Sequence, residues 1–139
     1  MSSDAVRRQV LEANDRFYAA IEALDIEAMR EIWDTGSQAA CVHPGGPWLH
    51  GWDQVRDAWE AIMANTGYIE FDIEVVACTV ADPVAWVTCA EHIRTGGQGG
   101  SGSAEAAATN VFVLGPTGWK LLLHHASPVV RQTLVDGDD

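Results

Sequence analysis

Four side chains in this sequence have the type and setting that acid-base chemistry needs. His43 closes an apolar stretch and runs into Pro44, Gly45 and Gly46, a rigid turn that would hold an imidazole at a strand end. Imidazole is the side chain whose unperturbed pKa lies nearest neutral pH, so His43 is a candidate general base; the same position also suits a histidine that only caps the turn. His124 and His125 are adjacent, so on a strand they face opposite ways and cannot share one metal or one proton. Counting in twos from Trp119 through Leu121 and Leu123 puts His125 on the pocket side and His124 on the dimer-facing or solvent side. Asn110 stands in a row with Phe112 and Leu114, where an amide needs partners. It would either donate to a substrate carbonyl, as in an oxyanion hole, or bond to a neighbouring strand or to His125. Glu91, opposite in parity to His92, would orient His43 or His125, or pair with Arg94 or Arg131 across an interface.

Other chemistries lack their residues. The five histidines, at 43, 50, 92, 124 and 125, form no HxH or HExxH pattern, so no metal is expected. The run Gly96 to Ser103 has no Lys-Ser/Thr after it and precedes no helix, so it reads as a flexible hairpin loop rather than a phosphate cradle. No cofactor is expected. A serine hydrolase would need a nucleophile elbow that is not present, and Glu70, Asp72 and Glu74 read as the wet face of a strand rather than a calcium site. Cys41, Cys78 and Cys89 are odd in number, sit among apolar residues and read as buried thiols.

The elements that must position these groups follow from periodicity. Val6, Val10, Ala13, Phe17, Ile21 and Leu24 recur in threes and fours and predict one long amphipathic helix. Asp25 caps a short second helix with an apolar stripe of Ile26, Met29, Ile32 and Trp33. A short strand ends at His43, and a third helix carries Val55, Trp59 and Ile62 and stops at Asn65 and Gly67. From Gly67 onward the period becomes two, and four long strands separated by turn residues predict an antiparallel meander. The opposite sheet face has apolar content of its own, at Val87, Cys89, Val111 and Val113, which is the mark of a sheet-to-sheet homodimer or of an extra buried layer.

The 139 residues carry a formal charge of −12 and 47% hydrophobic residues, so one folded domain over 1–139 is expected, with an ordered core of about 4–130 and an acidic tail at 132–139. Lys120 is the single lysine, and the acid excess repels polyanions, so neither nucleic acid nor an anionic membrane is an expected partner. The opening MSSDAVRRQV has charges inside any would-be signal core, and no run is long enough to span a bilayer, so the expected setting is the cytoplasm.

HPGGPWLHGWDQVRDAW, VAWVTCAEH and ATNVFVLGPTGWKLLLHHASP together resemble the SnoaL-like branch of the nuclear transport factor 2 (NTF2)-like superfamily. The resemblance implies an α+β cone, with three N-terminal helices packed on a curved antiparallel sheet, and a pocket at its mouth. In the ketosteroid isomerases of this fold, a first-helix Tyr and a late-strand Asp form the oxyanion hole and a carboxylate just before a Pro is the base. By that comparison the Tyr position falls on Phe17, with Tyr18 pointing away, the base position on His43 and the Asp position on Asn110. Steroid isomerisation by that mechanism is therefore not expected. What is expected is a homodimer with a polar pocket for a small apolar or aromatic metabolite, walled by Phe17, Trp48, Trp59, Trp86, Phe112 and Leu123. Its reaction would be cofactor-free isomerisation, dehydration or cyclisation beside a carbonyl at His43, Asn110, His125 and Glu91. The alternative is a non-catalytic ligand-binding or interaction module.

Overall fold

The structure, a computed structural model, describes residues 2–97 and 100–130. The expected acidic tail lies outside them. Helix α1 (Ser3–Glu22) begins where the Ser2 hydroxyl accepts a hydrogen bond from the Ala5 amide. Its buried stripe takes in Val10, Ala13, Asn14, Phe17, Tyr18 and Ile21. The stripe is wide enough to hold both 17 and 18, while Glu12, Asp15, Arg16 and Glu22 stay exposed on the other side. Asp25 caps α2 (Ile26–Ile32) by accepting from the amides of Glu27 and Ala28. Helix α3 (Trp52–Ala64) buries Trp52, Val55 and Trp59.

Six strands follow one another as β1 (Ala40–Val42), β2 (Trp48–His50), β3 (Tyr68–Ala81), β4 (Val84–Gly97), β5 (Gly100–Gly115) and β6 (Gly118–Pro128). They form one sheet in the order β2-β1-β6-β5-β4-β3, antiparallel throughout except where β1 lies parallel to β6. The helices cover one face, and Phe17, Trp33, Phe112 and Leu121 fill the space between at 1% exposure or less. This is the α+β cone that the sequence led us to expect, with a three-residue β2 that is too short to show a period.

Two local features depart from the sequence reading. The described residues of the glycine run are strand: β4 and β5 pair as far as Gly97 opposite Gly100, because a ladder of backbone hydrogen bonds needs no side chains. A Cβ at Gly96 would run into the ring of Tyr68, which lies over it. The second departure is a β-bulge in β6. Val111 pairs with Leu123 but Phe112 pairs with Leu121, so Leu122 is an extra residue in the strand. Trp119 and Leu121 point inward before it, and His124 and Ala126 point inward after it.

The bulge therefore reverses the parity count. Leu123 and His125 lie on the outer face, half-buried, and His124 is inside at 3% exposure. On β4, Val87, Cys89 and Glu91 face inward, with Val87 directly opposite Asn110, so Val87 and Cys89 do not belong to the outer apolar face assigned to them. That face holds Val111 and Val113, opposite Trp86 and Val84.

Candidate functional site

Inside the cone a set of polar side chains forms one directed chain of hydrogen bonds. Its direction is set by Glu91, whose Oε2 accepts from the Tyr18 hydroxyl at 2.6 Å. With its proton committed there, the Tyr18 oxygen accepts from Asn110 Nδ2 at 3.1 Å, and the same amide nitrogen donates to Asn14 Oδ1 at 2.8 Å. Both donors of Asn110 are then in use, so its Oδ1 must be the acceptor facing His124 Nδ1 at 2.6 Å. His124 thus carries its proton on Nδ1, and its Nε2 is bare. That nitrogen stands 4.0 Å from Glu91 Oε2.

The electrostatics follow from burial. His124 is held neutral, its pKa pushed down to about 3 by desolvation first and by the nearby imidazoles of His43 and His125 second. The approach of His124 to Glu91 is accordingly not an ion pair, even at 4.0 Å. Burial raises the pKa of Glu91 and is only partly countered by the Tyr18 hydrogen bond. Burial and the neighbouring Glu91 also keep Tyr18 protonated.

His43 is the half-buried member of the group and the link to the surface. Its ring meets the face of Trp59 edge-on at 4.6 Å and lies 6.4 Å from the ring of His124. Beyond it the Pro44–Pro47 turn is exposed. The turn closes through backbone, Gly46 N–H to His43 C=O at 2.8 Å, so the imidazole itself is not the turn's cap. Burial lowers the His43 pKa, which favours the neutral ring. Phe17, 5.8 Å from Trp59 and 4.9 Å from His124, completes the apolar wall.

Of the expected catalytic residues, the fold brings His43, Asn110 and Glu91 together and leaves His125 out, for the reason the bulge supplies. Phe17, Trp59 and Phe112 are inside, at 4% exposure or less. Trp48, Trp86 and Leu123 are not pocket walls. Trp48 is 52% exposed on edge strand β2, between the rings of His50 and His125, and Trp86 and Leu123 flank Val111 across the outer face. Tyr18 does not point away: it is the hub of the network. Asn14 and Tyr18, spaced four apart on α1, were the legible sign of a polar line within the buried stripe. The larger cavities lie elsewhere, one of about 760 Å³ between the end of α3 and the β4–β5 hairpin and one of about 560 Å³ between α1, α2 and the β5–β6 turn, and neither is lined by a residue of this network. Among the described residues no group of three His, Cys, Asp or Glu could hold a metal, and no helix is long and apolar enough to cross a membrane.

A first helix packed by its apolar stripe against the sheet, with a polar cluster between them, belongs to the NTF2-like, ketosteroid isomerase-like architecture. The chain belongs to the SnoaL-like domain family, which it matches over residues 10–131. It is 38% identical to a candidate dehydratase of the NTF2-like family from Streptomyces avermitilis, covering 94% of this chain and all of that one with a TM-score of 0.89. A candidate calcium/calmodulin-dependent protein kinase type II association domain from Thiobacillus denitrificans is 30% identical, with coverage of 85% and 93% and a TM-score of 0.76. A ketosteroid isomerase-like protein from Erwinia carotovora atroseptica shares the fold, at 16% identity, a TM-score of 0.80 and coverage of 94% and 100%. Among curated proteins, the F-box protein SKIP8 of Arabidopsis thaliana is 24% identical over 88% of this chain; the chain spans about half, 51%, of that protein's length.

Proposed function

We propose that this protein is a cofactor-free acid-base catalyst acting beside a carbonyl group of a small apolar or aromatic metabolite, by isomerisation, dehydration or cyclisation. The observation that carries the reading is the directed chain from His124 through Asn110 and Tyr18 to Glu91, ending in a bare imidazole nitrogen within one ring's reach of His43. One imidazole takes the proton from the carbon beside the carbonyl. The other keeps an N–H and hydrogen-bonds the enolate oxygen, and the proton then returns to a different atom. Phe17 and Trp59 hold the flat part of the ligand and exclude water. The likeness to a candidate dehydratase supports a reaction of this class. The test is turnover of a panel of carbonyl metabolites, beginning with whatever co-purifies with the protein as read by mass spectrometry. His43→Ala should remain folded and lose about 10²–10⁴-fold in turnover; unchanged turnover would sink the reading.

A second reading, a ligand-binding or interaction module without chemistry, is favoured by one observation: His124, Asn110, Tyr18 and Glu91 satisfy one another in sequence while buried at 4% exposure or less. The occurrence of a similar domain within an F-box protein suits it too. Under this reading His43→Ala weakens retention of the co-purifying molecule and no turnover is found. We also propose that the chain is a cytoplasmic homodimer that pairs through the outer sheet face, where Trp86 is 37% and Val76 is 69% exposed.

A further inference from the structure

Acid-base chemistry at this site needs one imidazole as the base and the other as the N–H donor. We infer that Cys41 is a positioning residue for His43: its thiol donates to Nε2, holds the ring as the Nδ1–H tautomer, and so makes His43 the donor beside the bare Nε2 that Asn110 leaves on His124. This inference rests on the acid-base reading of the site and deepens it.

The geometry comes from the strand. Cys41 and His43 are two residues apart at the end of β1, so their side chains leave the same face, and Sγ lies 3.6 Å from Nε2. Cys41 is fully buried and sits directly beside His124 in the parallel β1–β6 pair. Which atom donates is decided by relative strengths. A thiol sulfur is a weak acceptor, whereas the unprotonated nitrogen of a neutral imidazole is a good one, so S–H to nitrogen is the better of the two arrangements. The proton is there to be donated: burial, with Glu91 nearby, pushes the thiol pKa up to about 12. His124 is held in the same Nδ1–H form by a different partner, Asn110 Oδ1. The two rings therefore share a tautomer but differ in use, because the thiol occupies Nε2 of His43 while Nε2 of His124 accepts from no group in the network. On His43, Nδ1–H is left to meet a ligand.

The experiment reads the tautomers by two-bond ¹H–¹⁵N correlation spectra of the histidine rings at alkaline pH, where the imidazoles are neutral. His43→Ala assigns the His43 signals. Wild-type protein should show the His43 pattern of Nδ1–H, and Cys41→Ser, which keeps a donor, should retain it. Cys41→Ala should move His43 toward the Nε2–H form that free histidine favours in water, while the His124 pattern stays put and certifies that the core is intact. A wild-type His43 already in the Nε2–H form overturns the inference without any variant, and so does a Cys41→Ala spectrum unchanged at His43. Neither result depends on a substrate. If the tautomers come out as expected and no turnover is ever found, it is the catalytic reading that fails and not this one.

Discussion

At the scale of single residues, the buried network makes two claims that stability measurements can check. Removing the Asn110 amide orphans His124 Nδ1–H and the Asn14 oxygen and takes a donor from Tyr18. At about 1–3 kcal/mol for each buried polar group left without a partner, Asn110→Ala should cost about 3 kcal/mol in urea denaturation. A loss below about 1 kcal/mol would mean that the amide is not the centre of the network. His124 sets a pH dependence. Its folded pKa is depressed, so its contribution to stability is fully present above the ordinary 6.5 and is lost as pH falls toward about 3. Within that window the unfolded chain binds the extra proton, and wild-type stability should fall with a component of up to about 1.4 kcal/mol per pH unit. Glu91 acts in the other sense, because its raised pKa gives a contribution that is lost as pH rises. Comparing wild type with His124→Gln isolates the histidine's share, and parallel pH profiles for the two would show that the imidazole is not held neutral by burial.

At the scale of elements, the helix starts and the strand edges are held by side chains from neighbouring segments. The Asp25 carboxylate serves two amides at the head of α2, and Asp25→Ala should cost about 1 kcal/mol, read as a lower urea midpoint with an unchanged slope. Strand β3 is an edge, and α1 covers part of it: Glu22 accepts from the Phe71 amide at 2.8 Å, and Phe71 packs its ring 5.0 Å from Tyr18. The helices were legible in the sequence because their signals are local, a cap at Asp25 and an apolar stripe of period 3.6. The long strands were legible for the same reason. The orientation of β6 was not, because a bulge adds one residue and leaves no mark on the alternation of LLLHH. The glycine-rich hairpin misled in the opposite way: composition argues for a loop, and cross-strand pairing makes its described residues strand, with Tyr68 over Gly96.

At the scale of the whole molecule, the outer face of the sheet is divided between a charged end and an apolar end. On the outer face the β3 carboxylates Glu70, Asp72 and Glu74 pair across with Arg94, His92 and Ala90, toward one end of the sheet, while the other end presents Trp86, Val84, Val111 and Val113. Trp86→Asp should therefore convert the proposed dimer to monomer in size-exclusion chromatography with light scattering, without changing the circular dichroism of the fold. A monomeric wild type, or a variant that stays dimeric, would count against pairing through this face. The sequence by itself determined the order of the helices and the long strands, because period, caps and turn residues are written in neighbouring positions, and it offered His43, Glu91 and Asn110 as candidates while leaving open which face of β4 Glu91 takes. Only the tertiary structure decided that His124 rather than His125 enters the site and that Tyr18 joins Glu91 to Asn110. The first depends on a one-residue change of register and the second on where residues 73 and 92 positions apart come to rest, and neither quantity has a local signature.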